Sequence, residues 1–91
     1  MGVRSSIEEG LRNARHVYEN AYEQLDTFRK QEHYNQTEYS SCQRAINGSL
    51  AELEILHHSG NAQQKDQLSR MQMQLRQLQS DMILDENDVL Y

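Results

Sequence analysis

The sequence predicts an all-α chain folded as one antiparallel two-helix hairpin, with its turn at Asn47-Gly48. Three observations carry this expectation. Apolar residues recur in steps of three and four along both halves of the chain. There is no proline to interrupt a helix. The stretch AINGSLAELE, residues 45–54, sets Asn-Gly beside a capping signature near the midpoint.

The first helix is expected over about residues 6–46. Ser6-Ile7-Glu8-Glu9 reads as a capping box, in which serine and a glutamate three residues on satisfy the first free amides. Ile7, Leu11, Ala14, Tyr18, Ala21, Tyr22, Leu25 and Phe28 then share one face. From Arg29 to Ser41 the chain turns polar, interrupted by Tyr34 and Tyr39, and the apolar pattern returns at Cys42 and Ile46.

Ile46, Asn47, Gly48 and Ser49 form the expected hairpin turn, spanning 47–49. Glycine can take the left-handed conformation that closes a helix, and Ser49-Leu50-Ala51-Glu52 reads as a second capping box. The second helix is expected over about 50–84, with a tail at 85–91. Its face comprises Leu50, Leu53, His57, Gly60, Gln64, Leu68, Met71, Leu75, Leu78 and Met82. Folding at Gly48 brings the two faces into register: Ile46 meets Leu50, Leu25 meets Met71 and Tyr18 meets Leu78. The alternative is a three-helix bundle with a second turn at Ser59-Gly60-Asn61 and helices near 6–30, 40–58 and 62–84. Either way the chain is one domain, residues 1–91.

Only 36% of the residues are hydrophobic, with no Trp and one Phe. A chain this small and this polar leans on a partner or an oligomer for stability. The net charge of −5, with dispersed basic residues, argues against nucleic-acid binding. No apolar run approaches the roughly 18 residues of a membrane span, so membrane insertion is not expected. The single cysteine, Cys42, and the absence of a signal-peptide core suit a cytoplasmic protein. Met1-Gly2-x-x-x-Ser6 matches a short myristoylation pattern. Asn35-Gln-Thr37 and Asn47-Gly-Ser49 are formal glycosylation sequons, read as accidental.

No catalytic, cofactor-binding or metal-binding residue is expected. His16, His33, His57 and His58 lack the i, i+3 or i, i+4 spacing that brings two imidazoles to one metal. Cys42 reads as a small buried hydrophobe rather than a nucleophile. Tyr22-x-x-x-Asp26 and Tyr34-x-x-x-Glu38 read as ordinary helix faces. Ile55, Ala62, Met73 and Leu84 point away from the seam at spacings of seven, eleven and eleven, and form the candidate partner-binding stripe. An edge formed by Val17 and Tyr22 is the next candidate. The expected partner is therefore a helical protein, and a homodimer is compatible with the pattern.

In layout the chain resembles the helical-hairpin proteins of type VII secretion, the Trp-x-Gly superfamily, with Ile46-Asn47-Gly48 in the place of the Trp-x-Gly turn. Within that group it looks most like the LXG-associated α-helical proteins of type VIIb secretion. The resemblance implies a non-enzymatic targeting factor or chaperone. It would dock on the helical N-terminal domain of a secreted LXG-type toxin, with a second small helical protein as a further partner and co-export as one fate. The tryptophan is absent, and the tail lacks the superfamily's aromatic-x-x-x-acid export signal. Leu84-x-x-x-Asp88 is only an aliphatic approximation of it. A chaperone of another secretion system and a homodimeric coiled-coil adaptor are the competing functions.

Overall fold

Apolar stripes in alternating steps of three and four are the organising feature of three helices rather than two. The computed structural model describes the backbone of residues 3–31 and 36–90, and the side chains of residues 6–30 and 37–84. The helices are α1 (Val3–Gln31), α2 (Gln36–His57) and α3 (Ala62–Leu90). The stripe on α1 runs through Ile7, Ala14, Ala21, Leu25 and Phe28, and that on α2 through Tyr39, Cys42, Ile46, Ser49 and Leu53. On α3 it comprises Leu68, Met71, Leu75, Leu78 and Met82. All are buried. A mean step of 3.5 residues is the period at which helices pack side by side over many turns.

Each helix touches both others, so the bundle is triangular in section. Its backbone envelope measures 46 × 19 × 16 Å, and the long dimension is that of one 29-residue helix at about 1.5 Å per residue. Side-chain contacts fix the registers. Phe28 lies 6.3 Å from Tyr39 between ring centroids, and Gly10 faces Leu56 at the other end, so α1 and α2 are antiparallel. Gln79 reaches Asn47 and Ser69 reaches His57, so α2 and α3 are antiparallel too. α1 and α3 are therefore parallel: Leu11 shares a groove wall with Met71, and Leu25 with Leu78 and Asp81.

The two-helix hairpin is thus not the fold, and the three-helix alternative with its second turn at Ser59–Asn61 is. The expected turn residues Ile46, Asn47, Gly48 and Ser49 lie inside α2. Magnitudes explain why the helix continues through them. A mid-helix glycine costs about 1 kcal/mol relative to alanine. Breaking the helix there would expose Ile46 and Leu53, both fully buried, each worth roughly 1.5–3 kcal/mol. Asn47 is also engaged, its Oδ1 accepting a hydrogen bond from Gln79 Nε2 at 2.8 Å.

The capping signatures were misleading in the same way. Ser6 lies within α1, which begins at Val3, and Ser49 is a buried seam position rather than a cap. The working capping box is Asn61-x-x-Gln64. Gln64 N donates to Asn61 Oδ1 at 2.9 Å, and Asn61 N donates to Gln64 Oε1 at 2.9 Å, a reciprocal pair that satisfies two otherwise free amides. Just before it, α2 unwinds through bonds from His58 N to Ile55 O, Ser59 N to Leu56 O and Gly60 N to His57 O, the tighter i to i−3 pattern that ends many helices. The polar stretch from Arg29 to Ser41 covers the end of α1 and the start of α2 rather than the middle of one long helix.

α3 continues to Leu90, through most of the expected tail at 85–91. The side chains from Asp85 onward, Tyr91, the Met1-Gly2 pair of the myristoylation pattern, and His33, Tyr34 and Asn35 lie outside the described residues.

Small residues on α1 set the spacing to α2. A Cβ on Gly10 would collide with Leu56 Cδ1, and Ala14 and Ala21 are buried at the next turns of the same stripe. Gly48, by contrast, is open: a Cβ there meets nothing within 4 Å. Gly48→Ala is therefore expected to raise stability by about 1 kcal/mol through helix propensity alone. Asn61→Ala is expected to lower it by about 1 kcal/mol through loss of the α3 cap. Urea denaturation curves of the two variants should shift to opposite sides of the parent. A hairpin turning at Gly48 would give the reverse order.

Candidate functional site

The three inter-helix seams are finished differently, and this difference defines the candidate site. Between α1 and α2 the small residues allow close approach. Along α2 and α3 the rim is tied by side-chain hydrogen bonds. Gln79 Nε2 donates to Asn47 Oδ1 and, at 3.1 Å, to Gln43 Oε1, while Gln43 Nε2 donates to the Tyr39 hydroxyl at 3.2 Å. Nearer the turn, Ser69 Oγ and His57 Nε2 lie 3.3 Å apart. Partly buried polar atoms that bond one another close a seam and define its register.

The α1/α3 seam is open. Tyr18, Tyr22 and Leu25 from α1 and Met73, Gln74, Gln77 and Leu78 from α3 line a groove of about 450 Å³, with Arg70 and Asp81 also on its wall. Its floor and one rim are apolar, yet Tyr22 is 56% exposed and Met73 67% exposed. Tyr18 and Tyr22 stack with ring centroids 6.2 Å apart at 27°, which stiffens the α1 wall. Gln74 and Gln77 line the groove with the tyrosines, so its α3 side is polar at these two positions.

The expected partner-binding stripe is only partly brought together. Ile55, Ala62, Met73 and Leu84 are all exposed. Ala62, Met73 and Leu84 share one direction along α3, since eleven residues are close to three turns. Ile55 sits on the outer face of α2, on the other side of the break at 58–61, so the four make no single line. Val17 and Tyr22 do not form an edge either. Val17 packs against the core while Tyr22 lines the groove. Sequence reasoning missed the groove because it assigned Tyr18, Leu25 and Leu78 to a closed seam. The available signal was Tyr22 beside Leu25, an apolar residue about 60° off the stripe, where it widens one edge of α1.

Among the described residues no three His, Cys, Asp or Glu side chains gather where a metal ion could be held. Nor is any helix there long and apolar enough to cross a membrane. Cys42 is buried on the α2 stripe. Burial pushes its thiol pKa up, and the neighbouring charge of Glu38 adds to the shift. The thiolate is the reactive form, so this cysteine is held in its unreactive state.

With this geometry in hand, comparison with known proteins places the chain in a family. It belongs to the family described as "Protein of unknown function (DUF2524)", whose profile matches residues 1–84. It is 44% identical over 84 residues to the uncharacterized protein YtzC of Bacillus subtilis (strain 168), across 92% of this chain and 93% of that protein. No solved structure matches. The resemblance to Trp-x-Gly hairpins rested on a turn at Ile46-Asn47-Gly48. With those residues inside α2, that ground is gone.

The Cys42 environment has a measurable consequence. Alkylation by iodoacetamide in mildly alkaline buffer should be slow in the folded protein and fast in urea. Because the folded-state pKa is raised, the fold retains a proton that the unfolded chain releases. Stability should therefore fall as pH rises from the ordinary thiol range towards the raised value. Equal alkylation rates in both states would contradict the buried placement.

Proposed function

We propose that this protein is a non-catalytic helical binding module that engages another helical protein along the α1/α3 groove. The observation that carries the reading is the contrast between seams: two are closed, one by small residues and one by hydrogen bonds, while the third leaves Tyr22 and Met73 exposed over an apolar floor. Helix-in-groove recognition uses such a surface, with large side chains as anchors at helical spacing. Tyrosine and methionine suit the task. Tyrosine offers a broad apolar ring with a polar tip, and methionine adapts its shape to what it meets. The low apolar content agrees with this, since burying the groove would add to a small core.

The type VII targeting role draws no support from the fold, since Ile46, Asn47 and Gly48, which stood in the place of the Trp-x-Gly turn, lie inside α2. The outer α3 direction of Ala62, Met73 and Leu84 is the competing docking surface, and Met73 belongs to both. Two substitutions separate them. Tyr22→Glu alters the groove alone, and Leu84→Lys alters the outer stripe alone. A photo-crosslinking residue at Met73, introduced in the native host, should form a covalent adduct that Tyr22→Glu reduces at least tenfold, the effect of losing about 1.4 kcal/mol. Leu84→Lys should leave it intact. Loss of the adduct with Leu84→Lys alone, or no adduct at Met73 at all, would overturn the groove as the binding surface.

A further inference from the structure

We propose that the occupant of the α1/α3 groove is a second copy of this chain, docked antiparallel about a two-fold axis that lies between the two copies, perpendicular to α3 and level with Gln74 and Gln77. The inference rests on the groove reading above and names its partner. Its ground is the self-complementary order of groups along the groove. Arg70 stands towards one end and Asp81 towards the other. Eleven residues separate them, about 16 Å along the axis at nearly the same helical phase. A two-fold axis midway between them reverses α3 against its copy. Arg70 then faces the second copy's Asp81, and Asp81 faces its Arg70.

The same operation pairs the neighbouring groups sensibly. Gln74 meets Gln77 of the other copy, amide against amide. On α1, Tyr18 and Tyr22 line the same groove, and Tyr22 is 56% exposed. The same axis lays α1 against the second copy's α1, so the exposed Tyr22 ring of each copy enters the contact.

The charged groups at these positions are accounted for. Arg70 already pairs with Asp66 at 3.1 Å, an exposed contact on its own helix that is worth little in water. Asp81 accepts one hydrogen bond from Gln77 at 3.1 Å. Arg15 of α1 and Arg70 of α3 both line the adjoining depression, so this end of the seam is basic. A partner on this groove has to bring an acidic group to one end and a basic group to the other. A copy of the same face, reversed, satisfies both.

Area agrees with this assignment. One long face of the bundle, 46 by 19 Å, is of the same order as the ~800 Å² per partner that a standard interface buries. Closed two-fold dimers are also the commonest way for a chain to use one patch on both sides.

The test is charge reversal followed by mixing. Sedimentation velocity should show the parent protein as a dimer. Arg70→Asp alone places two acidic groups at each contact, and Asp81→Arg alone places two basic groups there. Each variant should dissociate at least tenfold more readily than the parent, with an unchanged helical circular dichroism spectrum. Mixed in equal amounts, the two variants should recover a dimer containing one of each, because both contacts then pair opposite charges. Tyr22→Glu provides an independent variant on α1 and should also yield monomer.

A monomeric parent at millimolar chain concentration, full dimerisation of both single variants, or a mixture that stays monomeric would each overturn the assignment. Failure here is distinguishable from failure of the groove reading. A Met73 photo-adduct with the mass of this chain plus a different protein overturns the second copy and leaves the groove as the interface. Absence of any adduct removes both.

Discussion

The structure depends on the uninterrupted buried stripe of α2. Tyr39, Cys42, Ile46, Ser49 and Leu53 give the middle helix a single seam that faces α1 on one side and α3 on the other. In a chain with so little apolar material, a residue that contacts two neighbours removes more surface from water than one that contacts a single neighbour. Hydrophobic stabilisation scales with that area. This is why three shorter helices prevail over two long ones, and why a glycine in the middle of α2 is tolerated. The helix is held by what it buries on either side of Gly48, not by the propensity of that residue.

Packing against α1 and α3 uses different means, and the α1/α3 seam, where we propose a helical partner docks, is what remains. Towards α1, the bare backbone at Gly10 accepts the Leu56 side chain of α2, on a stripe that continues through the small buried residues Ala14 and Ala21. Towards α3, hydrogen bonds from Gln79 to Asn47 and Gln43 tie the rim. The parallel pair α1/α3 has neither device. It is left with tyrosines and a methionine facing solvent beside two glutamines. A surface of that kind is suited to another helical surface, and the opposed charges of Arg70 and Asp81 give it direction.

Much of the fold was legible in the sequence, and the part that was not has a specific cause. The buried faces of all three helices follow from the three-four spacing, and nearly every residue assigned to a seam lies on one. Which segments face each other does not follow. A heptad stripe matches any other heptad stripe when reversed, so the register agreement between Leu25 and Met71, or Tyr18 and Leu78, carried little information. The decisive local signal was Asn61-x-x-Gln64, which has the same form as Ser49-x-x-Glu52 and differs only in its surroundings. Ser49 sits in step with Cys42, Ile46 and Leu53, whereas Asn61 follows a run without apolar residues. The groove was invisible for a related reason: periodicity identifies which residues face inward, but an open seam depends on how three faces share a limited set of large side chains.

The arrangement of α2 between α1 and α3 is tested most directly by paired cysteines in a Cys42→Ser background. A Cβ at Gly10 would stand 3.8 Å from Leu56 Cγ, the place a cysteine sulfur takes, and Leu56→Cys removes the Cδ1 it would strike, so the two positions suit a disulfide. Through α2, the contacts of Gly10 with Leu56, Phe28 with Tyr39, Ser69 with His57 and Gln79 with Asn47 set Leu25 near the Asp81 turn of α3, about ten residues beyond Met71, or about 15 Å along the axis. Oxidation of the Gly10→Cys, Leu56→Cys variant should therefore give an intrachain disulfide in high yield. The Leu25→Cys, Met71→Cys variant should remain reduced within the monomer. A bridge between positions 25 and 71 without one between 10 and 56 would contradict the three-helix account and restore the hairpin.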